Sequence, residues 1–138
     1  MPLLKIILKS TERYQEIAYL DSQLFPEDEP IENWHDSEWW IGYHKGEIIS
    51  YCSLKCMGDY VYLNRAGVLD EFQGNGIQKK MIKKRLDWCK ANNIKYAITY
   101  TSHLNSASIN SLIGMGFKAY RPDNTWAGSE FLYWKWKA

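Results

Sequence analysis

The sequence predicts a mixed α/β (α+β) fold, one sheet with helices on its faces, in a single domain spanning residues 1–138. Three observations predict it. The chain has 138 residues, 46% hydrophobic and 24% charged, which suits one compact domain and excludes wholesale disorder. Segments of β-like composition alternate with stretches of helical periodicity. Their order is a strand, one or two helices, three strands, a helix, a strand, a helix and late strands.

Leu3 to Lys9 reads as the first strand. Ser10 and Thr11 offer N-cap hydroxyls to a helix whose Ile17, Leu20 and Leu24 follow at helical spacing, and Phe25-Pro26 ends it. Pro26 to Glu38 is acidic and reads as a short helix or a loop. Trp39 to Tyr43, the turn His44-Lys45-Gly46-Glu47 and Ile48 to Lys55 read as a hairpin, and Tyr60 to Leu69 as the next strand. A turn at Asp70 to Gly76 runs into a long helix from about Gly74 to Ala91. Its apolar stripe is Ile77, Met81, Ile82, Leu86 and Cys89, and its other face carries Lys79, Lys80, Lys83, Lys84 and Lys90. Lys95 to Thr101 is a strand, Asn105 to Met115 a second helix stopped by Gly116, and Phe117 to Tyr120 and Glu130 to Lys137 are late strands. In the last of these, Leu132, Trp134 and Trp136 share one face and are expected in the core. A subunit interface is the alternative, and a homodimer by strand exchange or edge pairing stays open.

No apolar run approaches the ~20 residues of a transmembrane helix, and the apolar start is too short for a secretory signal. A cytoplasmic location with no membrane partner is therefore expected. Cys52, Cys56 and Cys89 make no disulfide framework. Cys52 and Cys56 fall roughly 13 Å apart along one strand face, too far to share a bond or a metal ion, so no metal is expected and all three read as buried structural thiols. The formal charge of +1 hides a segregation. Residues 1–71 hold thirteen acidic and six basic residues, and residues 72–138 hold three and eleven. Either two differently charged surfaces result, or the halves interleave and cancel.

The most informative segment is Gln73-Gly74-Asn75-Gly76-Ile77-Gln78, between a strand and a helix. Small residues let the backbone approach a ligand, and the free amides and helix dipole suit a phosphate or pyrophosphate, with Lys79 and Lys80 close by. A Walker loop is excluded by Ile77-Gln78 after Gly76, and a dinucleotide fingerprint by Lys79.

This turn, the preceding Ala66-Gly67-Val68, and Asn105-Ser-Ala-Ser108 running to Leu112 and Gly116-Phe117 together resemble the GNAT (Gcn5-related) N-acetyltransferases. The likeness covers roughly residues 60–117. It implies a central, mostly antiparallel sheet of six to seven strands flanked by about four helices. It also implies an acetyl-CoA-dependent N-acetyltransferase acting on an amine acceptor. By resemblance, Ala66, Gly67 and Val68 pair with pantetheine, while Gln73, Gly74, Asn75, Gly76, Ile77, Gln78 and Lys79 hold the phosphates. Asn105 bonds the pantetheine arm, with Ser108 in support. The chain departs from the family pattern where Gln78 replaces a small residue, Leu112 a frequent tyrosine acid, and Tyr100 an occasional glutamate base.

The reaction expected is direct attack of a neutral amine on the thioester, with a main-chain amide near Val68 facing the oxyanion. His103, Tyr100 and Tyr120 are the catalytic candidates, with Glu71 acting through water as another. The acidic stretch would attract a cationic amine, a small molecule or a peptide, and Glu29, Trp34 and Glu38 are its candidate contacts. The plainer reading is a solvated acidic loop beside core tryptophans. The rivals are a coenzyme-binding protein without turnover and a nucleic-acid or phospholigand module on the basic face Lys79, Lys80, Lys83, Lys84, Arg85 and Lys90. A nucleic-acid partner is disfavoured, because such a module has no use for the Asn105-to-Phe117 pattern.

Overall fold

The computed structural model describes residues 5–8, 14–32 and 34–138. Among them run β1 (Lys5–Leu8), α1 (Tyr14–Leu24), β2 (Ser37–His44), β3 (Glu47–Cys56), β4 (Tyr60–Val68), α2 (Ile77–Ala91), β5 (Tyr96–Ser102), α3 (Ser106–Gly114), β6 (Lys118–Tyr120) and β7 (Phe131–Lys137). Single 3₁₀ turns at Trp34–Asp36 and Asp70–Phe72 complete the order, where about four full helices were expected. Leu3, Leu4, Lys9 and the capping hydroxyls of Ser10 and Thr11 lie outside the described residues.

The seven strands form one sheet in the order β1-β2-β3-β4-β5-β7-β6. Every neighbouring pair is antiparallel except β4 with β5. Period-2 alternation sends two apolar sets to opposite faces. Ile17, Leu20, Trp39, Ile41 and Tyr51 pack under α1, while Trp40, Cys52, Leu54, Val61 and Leu63 pack with Met81, Ile82 and Leu86 of α2. Trp39 and Trp40, adjacent in sequence, anchor different layers.

One irregularity shapes the centre. Ser53 pairs with Arg65 and Lys55 with Tyr62, so β4 uses one residue more than β3 over this stretch. An extra residue bends the strand that carries it. The parallel pairing of β4 with β5 accordingly stops at Tyr62–Ile98, although β4 continues to Val68 and β5 to Ser102. Beyond that point the strands part into a V. The Thr99 hydroxyl donates to the carbonyl of Leu63 at 2.9 Å where they separate.

Several expectations are corrected. The long helix starts at Ile77 rather than Gly74, because Gly74 and Gly76 hold φ of +83° and +76°, outside helical space. Cys56 is exposed at the frayed end of β3, whereas Cys52 and Cys89 are buried as expected. Trp134 and Trp136 enter the core, but Leu132 on the same face is exposed. Arg85, grouped by sequence with the basic face of α2, is buried inside it. Among the described residues, no helix is long and apolar enough to cross a membrane.

Candidate functional site

The V opens into two adjoining cavities. The first, about 570 Å³, runs through the sheet between β4 and β5 and is lined by Tyr62, Arg65, Thr99, Tyr100 and Leu112, with Ile82 and Arg85 of α2 on one face and Asp21, Asp28 and Glu29 on the other. The second lies along the end of β4 and the glycine turn, lined by Gly67, Val68, Gln73, Gly74, Gly76, Ile77 and Lys79. Ala66, Gln78, Asn105 and Ser108 line both and form the join.

The second cavity is a main-chain site. Gly76 caps α2 in the left-handed region with no side-chain acceptor, so the first amides of the helix face outward. A Cβ at Gly74 or Gly76 would meet open space, so glycine is required there by backbone conformation rather than crowding. Two motif side chains fold back onto the main chain of the turn. Gln73 Nε2 donates to the Val68 carbonyl at 3.2 Å, and Asn75 Nδ2 donates to the Phe72 carbonyl at 3.0 Å. Both hold the turn's shape, and Asn75 lines neither cavity.

At the join, Asn105 Oδ1 accepts from the Ser108 amide at 3.1 Å and caps α3. Its Nδ2 donates to no group among the described residues. Gln78 Nε2 donates to Ser108 Oγ at 2.9 Å, tying the first turns of α2 and α3 together.

On the α1 side, the Tyr51 hydroxyl donates to Asp21, whose carboxylate also takes Arg65 at 2.5 Å; Arg65 Nη2 donates to the Glu29 carbonyl at 2.9 Å. This network anchors α1 and the acidic loop to the sheet. Burial, then the Asp21 bond, raises the Tyr51 pKa, and burial with the neighbouring Tyr100 raises that of Tyr62. Trp126 stands edge-on to Tyr62 at 5.1 Å and Tyr100 at 5.3 Å, closing an aromatic wall above the V.

Of the remaining candidates, Tyr100 and Glu29 line the first cavity. His103 is exposed in the turn before α3 and lines neither cavity, nor do Tyr120, Glu71 and Glu38. Trp34 stacks on Tyr14 at 4.7 Å, away from the V. Sequence reasoning missed Asp21, Tyr62, Arg65 and Thr99, and placed Arg85 on the basic face of α2 rather than in the cleft. For Arg85 a signal existed: it falls inside the apolar stripe, four residues from both Met81 and Cys89. The others meet only through topology. No group of three or more side chains able to hold a metal occurs among the described residues.

A family model described as the acetyltransferase (GNAT) family matches residues 6–117. No curated protein sequence matches. Among solved structures, the chain is similar to the ribosomal-protein-S18-alanine N-acetyltransferase of Escherichia coli, at 12% identity and a TM-score of 0.80, covering 98% of this chain and 94% of that one. It is similar to the PaiA N-acetyltransferase of Thermoplasma acidophilum in complex with coenzyme A, at 13% identity and 0.78, covering 99% of each. A GNAT family acetyltransferase of Elizabethkingia anophelis with acetyl-CoA bound matches at 15% identity and 0.78, covering 98% of each.

Proposed function

Because the chain belongs to the GNAT acetyltransferase family, we propose that it moves an acetyl group from acetyl-CoA to the primary amine of a cationic acceptor, a small molecule or a peptide. The observation that carries this reading is the V. Two unpaired strand edges meet a glycine turn whose helix amides are free, and an acidic mouth opens on the opposite face.

In this reading the pyrophosphate sits on the amides after Gly76, beside Lys79. Pantetheine pairs with the β4 edge at Ala66 to Val68 and bonds the free amide of Asn105. The thioester then lies at the join, its oxygen toward a main-chain amide near Val68. The amine enters past Asp28 and Glu29, whose charges favour a cation. Tyr100 and Tyr62 supply hydroxyls that position it. The ammonium first releases a proton to water; the neutral nitrogen then attacks the thioester carbon, the C–S bond breaks, and a second proton from the nitrogen passes to water. Leu112 carries no proton to give, so coenzyme A leaves as the thiolate, a tolerable leaving group near neutral pH.

The test is thermal unfolding with saturating acetyl-CoA, with ATP as control, followed by thiol release across amines, polyamines first. A ligand at 100 times its dissociation constant adds ~2.7 kcal/mol, several degrees for a domain of this size. A shift with acetyl-CoA alone is expected, and Gly76→Glu should abolish it by repelling the pyrophosphate. No shift in the native chain would sink the reading. A shift with no thiol release from any amine would leave a coenzyme binder without turnover, the reading that Leu112 favours.

A further inference from the structure

Arg85 is a cation inside the core. It is 4% exposed and projects from the apolar stripe of α2 among Met81, Ile82, Leu86 and Cys89. Its Nε donates to the Met81 carbonyl at 3.2 Å and its Nη1 to the Ser53 carbonyl at 3.1 Å. No carboxylate pairs with it among the described residues, and Nη2 has no protein acceptor. The ionisable groups beside it are the thiols of Cys52 and Cys89, which burial pushes up to about 11, so they stay neutral and balance nothing. A buried charge without a counter-charge is costly unless a ligand supplies one. Arg85 lines the first cavity, and its bond to Ser53 sets the guanidinium at the level of Arg65 on β4, beyond the last β4–β5 pair.

We propose that Arg85 receives a carboxylate at the far end of the donor's acyl chain, so that the cleft accepts coenzyme A esters of four-carbon dicarboxylic acids as well as acetyl-CoA. The inference rests on the acyl-transfer reading of the V.

Placement decides between donor and acceptor. Arg85 rises from α2, the helix whose first turn receives the coenzyme, whereas the acceptor's mouth at Asp28 and Glu29 lies on the α1 face. Gln78, Ile82 and Arg85, spaced i, i+4, i+7, line the cavity along one helix face. Seven residues of helix rise ~10 Å. The Arg85 side chain folds back one turn to bond Met81, which brings its head group to within roughly 5 Å of the level of Gln78 along the axis. With the thioester held at the join, two methylenes and a terminal carboxylate span roughly that distance. Two carbonyl bonds fix the guanidinium and leave Nη2 free, an arrangement that orders the site before the ligand arrives. In the transfer the amine nitrogen bonds the thioester carbon, the C–S bond breaks, coenzyme A leaves as thiolate and the amine's proton goes to water. The distal carboxylate is unchanged and ends on the product amide.

The experiment compares dissociation constants of acetyl-, butyryl- and succinyl-CoA on the full chain. Butyryl and succinyl groups share a four-carbon length and differ in charge. The native chain should hold succinyl-CoA at least tenfold tighter than butyryl-CoA. Arg85→Met should erase that preference, and Arg85→Lys should keep part of it. Equal or weaker binding of succinyl-CoA by the native chain overturns the proposal, and this comparison needs no variant to fold. A preference that survives Arg85→Met also overturns it. Equal donor affinities with faster transfer to carboxylate-bearing amines would assign Arg85 to the acceptor and overturn the donor assignment. Failure of free coenzyme A and all three esters to bind would overturn the acyl-transfer reading itself.

Discussion

Gly67 owes its identity to one neighbour. A Cβ placed there would stand 2.6 Å from the ring of Tyr51, which faces it across the β3–β4 pair. Tyr51 has no room to retreat, being fully buried with its hydroxyl on Asp21. Gly67→Ala should therefore destabilise the chain by about 1–3 kcal/mol, the usual penalty of overpacking. Chemical denaturation measures it, and an unchanged midpoint would mean the ring moves freely. By resemblance, Ala66-Gly67-Val68 is the strand edge that pairs with pantetheine. The structure adds a reason that no local pattern carries, because Tyr51 lies sixteen residues away. Gln78 teaches the same lesson: its side chain reaches Ser108, thirty residues on, rather than a phosphate-binding backbone.

At the scale of elements, the decisive event is the separation of β4 from β5. Thr99 satisfies the Leu63 carbonyl where the ladder ends. Thr99→Val keeps the volume and removes the hydroxyl, leaving a buried carbonyl unpaired. The expected loss is about 1–3 kcal/mol. Hydrogen exchange should show faster opening of β4 and β5 than of β2 and β3; uniform exchange would refute that local role. Strands and helices were legible because apolar periodicity dictates which face is buried, as in Ile77, Met81, Ile82, Leu86 and Cys89. The bulge in β4 was not legible, since one extra residue leaves no compositional trace. The glycine-turn cavity was legible because a main-chain site needs glycines, which mark a sequence. The lining of the first cavity was not, because Asp21, Tyr62, Arg65 and Thr99 come from three separate elements joined only by topology.

At the scale of the whole molecule, the fold holds protons on phenols that the unfolded chain would release. Tyr51, Tyr62 and Tyr120 all have raised pKa values, with burial the largest cause in each. Their folded values lie above the unfolded value near 10, so at high pH the unfolded chain binds fewer protons and stability falls as pH rises. The melting temperature should hold steady below about pH 9 on this account and drop progressively above about pH 10. Tyr51→Phe should shallow that alkaline slope; an unaltered slope would remove Tyr51 from the account.

The charge segregation read from the sequence also survives folding. Exposed Glu16, Glu27, Asp28, Glu29, Glu32 and Asp36 gather on α1 and the loop after it, over one face of the sheet, and exposed Lys79, Lys80, Lys83, Lys84 and Lys90 line α2 on the other. A formal charge of +1 and an isoelectric point near 7.7 conceal this polarity. The molecule is an electric dipole whose two ends sit on opposite sides of one sheet. Near neutral pH and low salt it has one end for an anion exchanger and the other for a cation exchanger. On a charged surface it lies in one orientation, with either the glycine turn or the acidic mouth turned to the solvent.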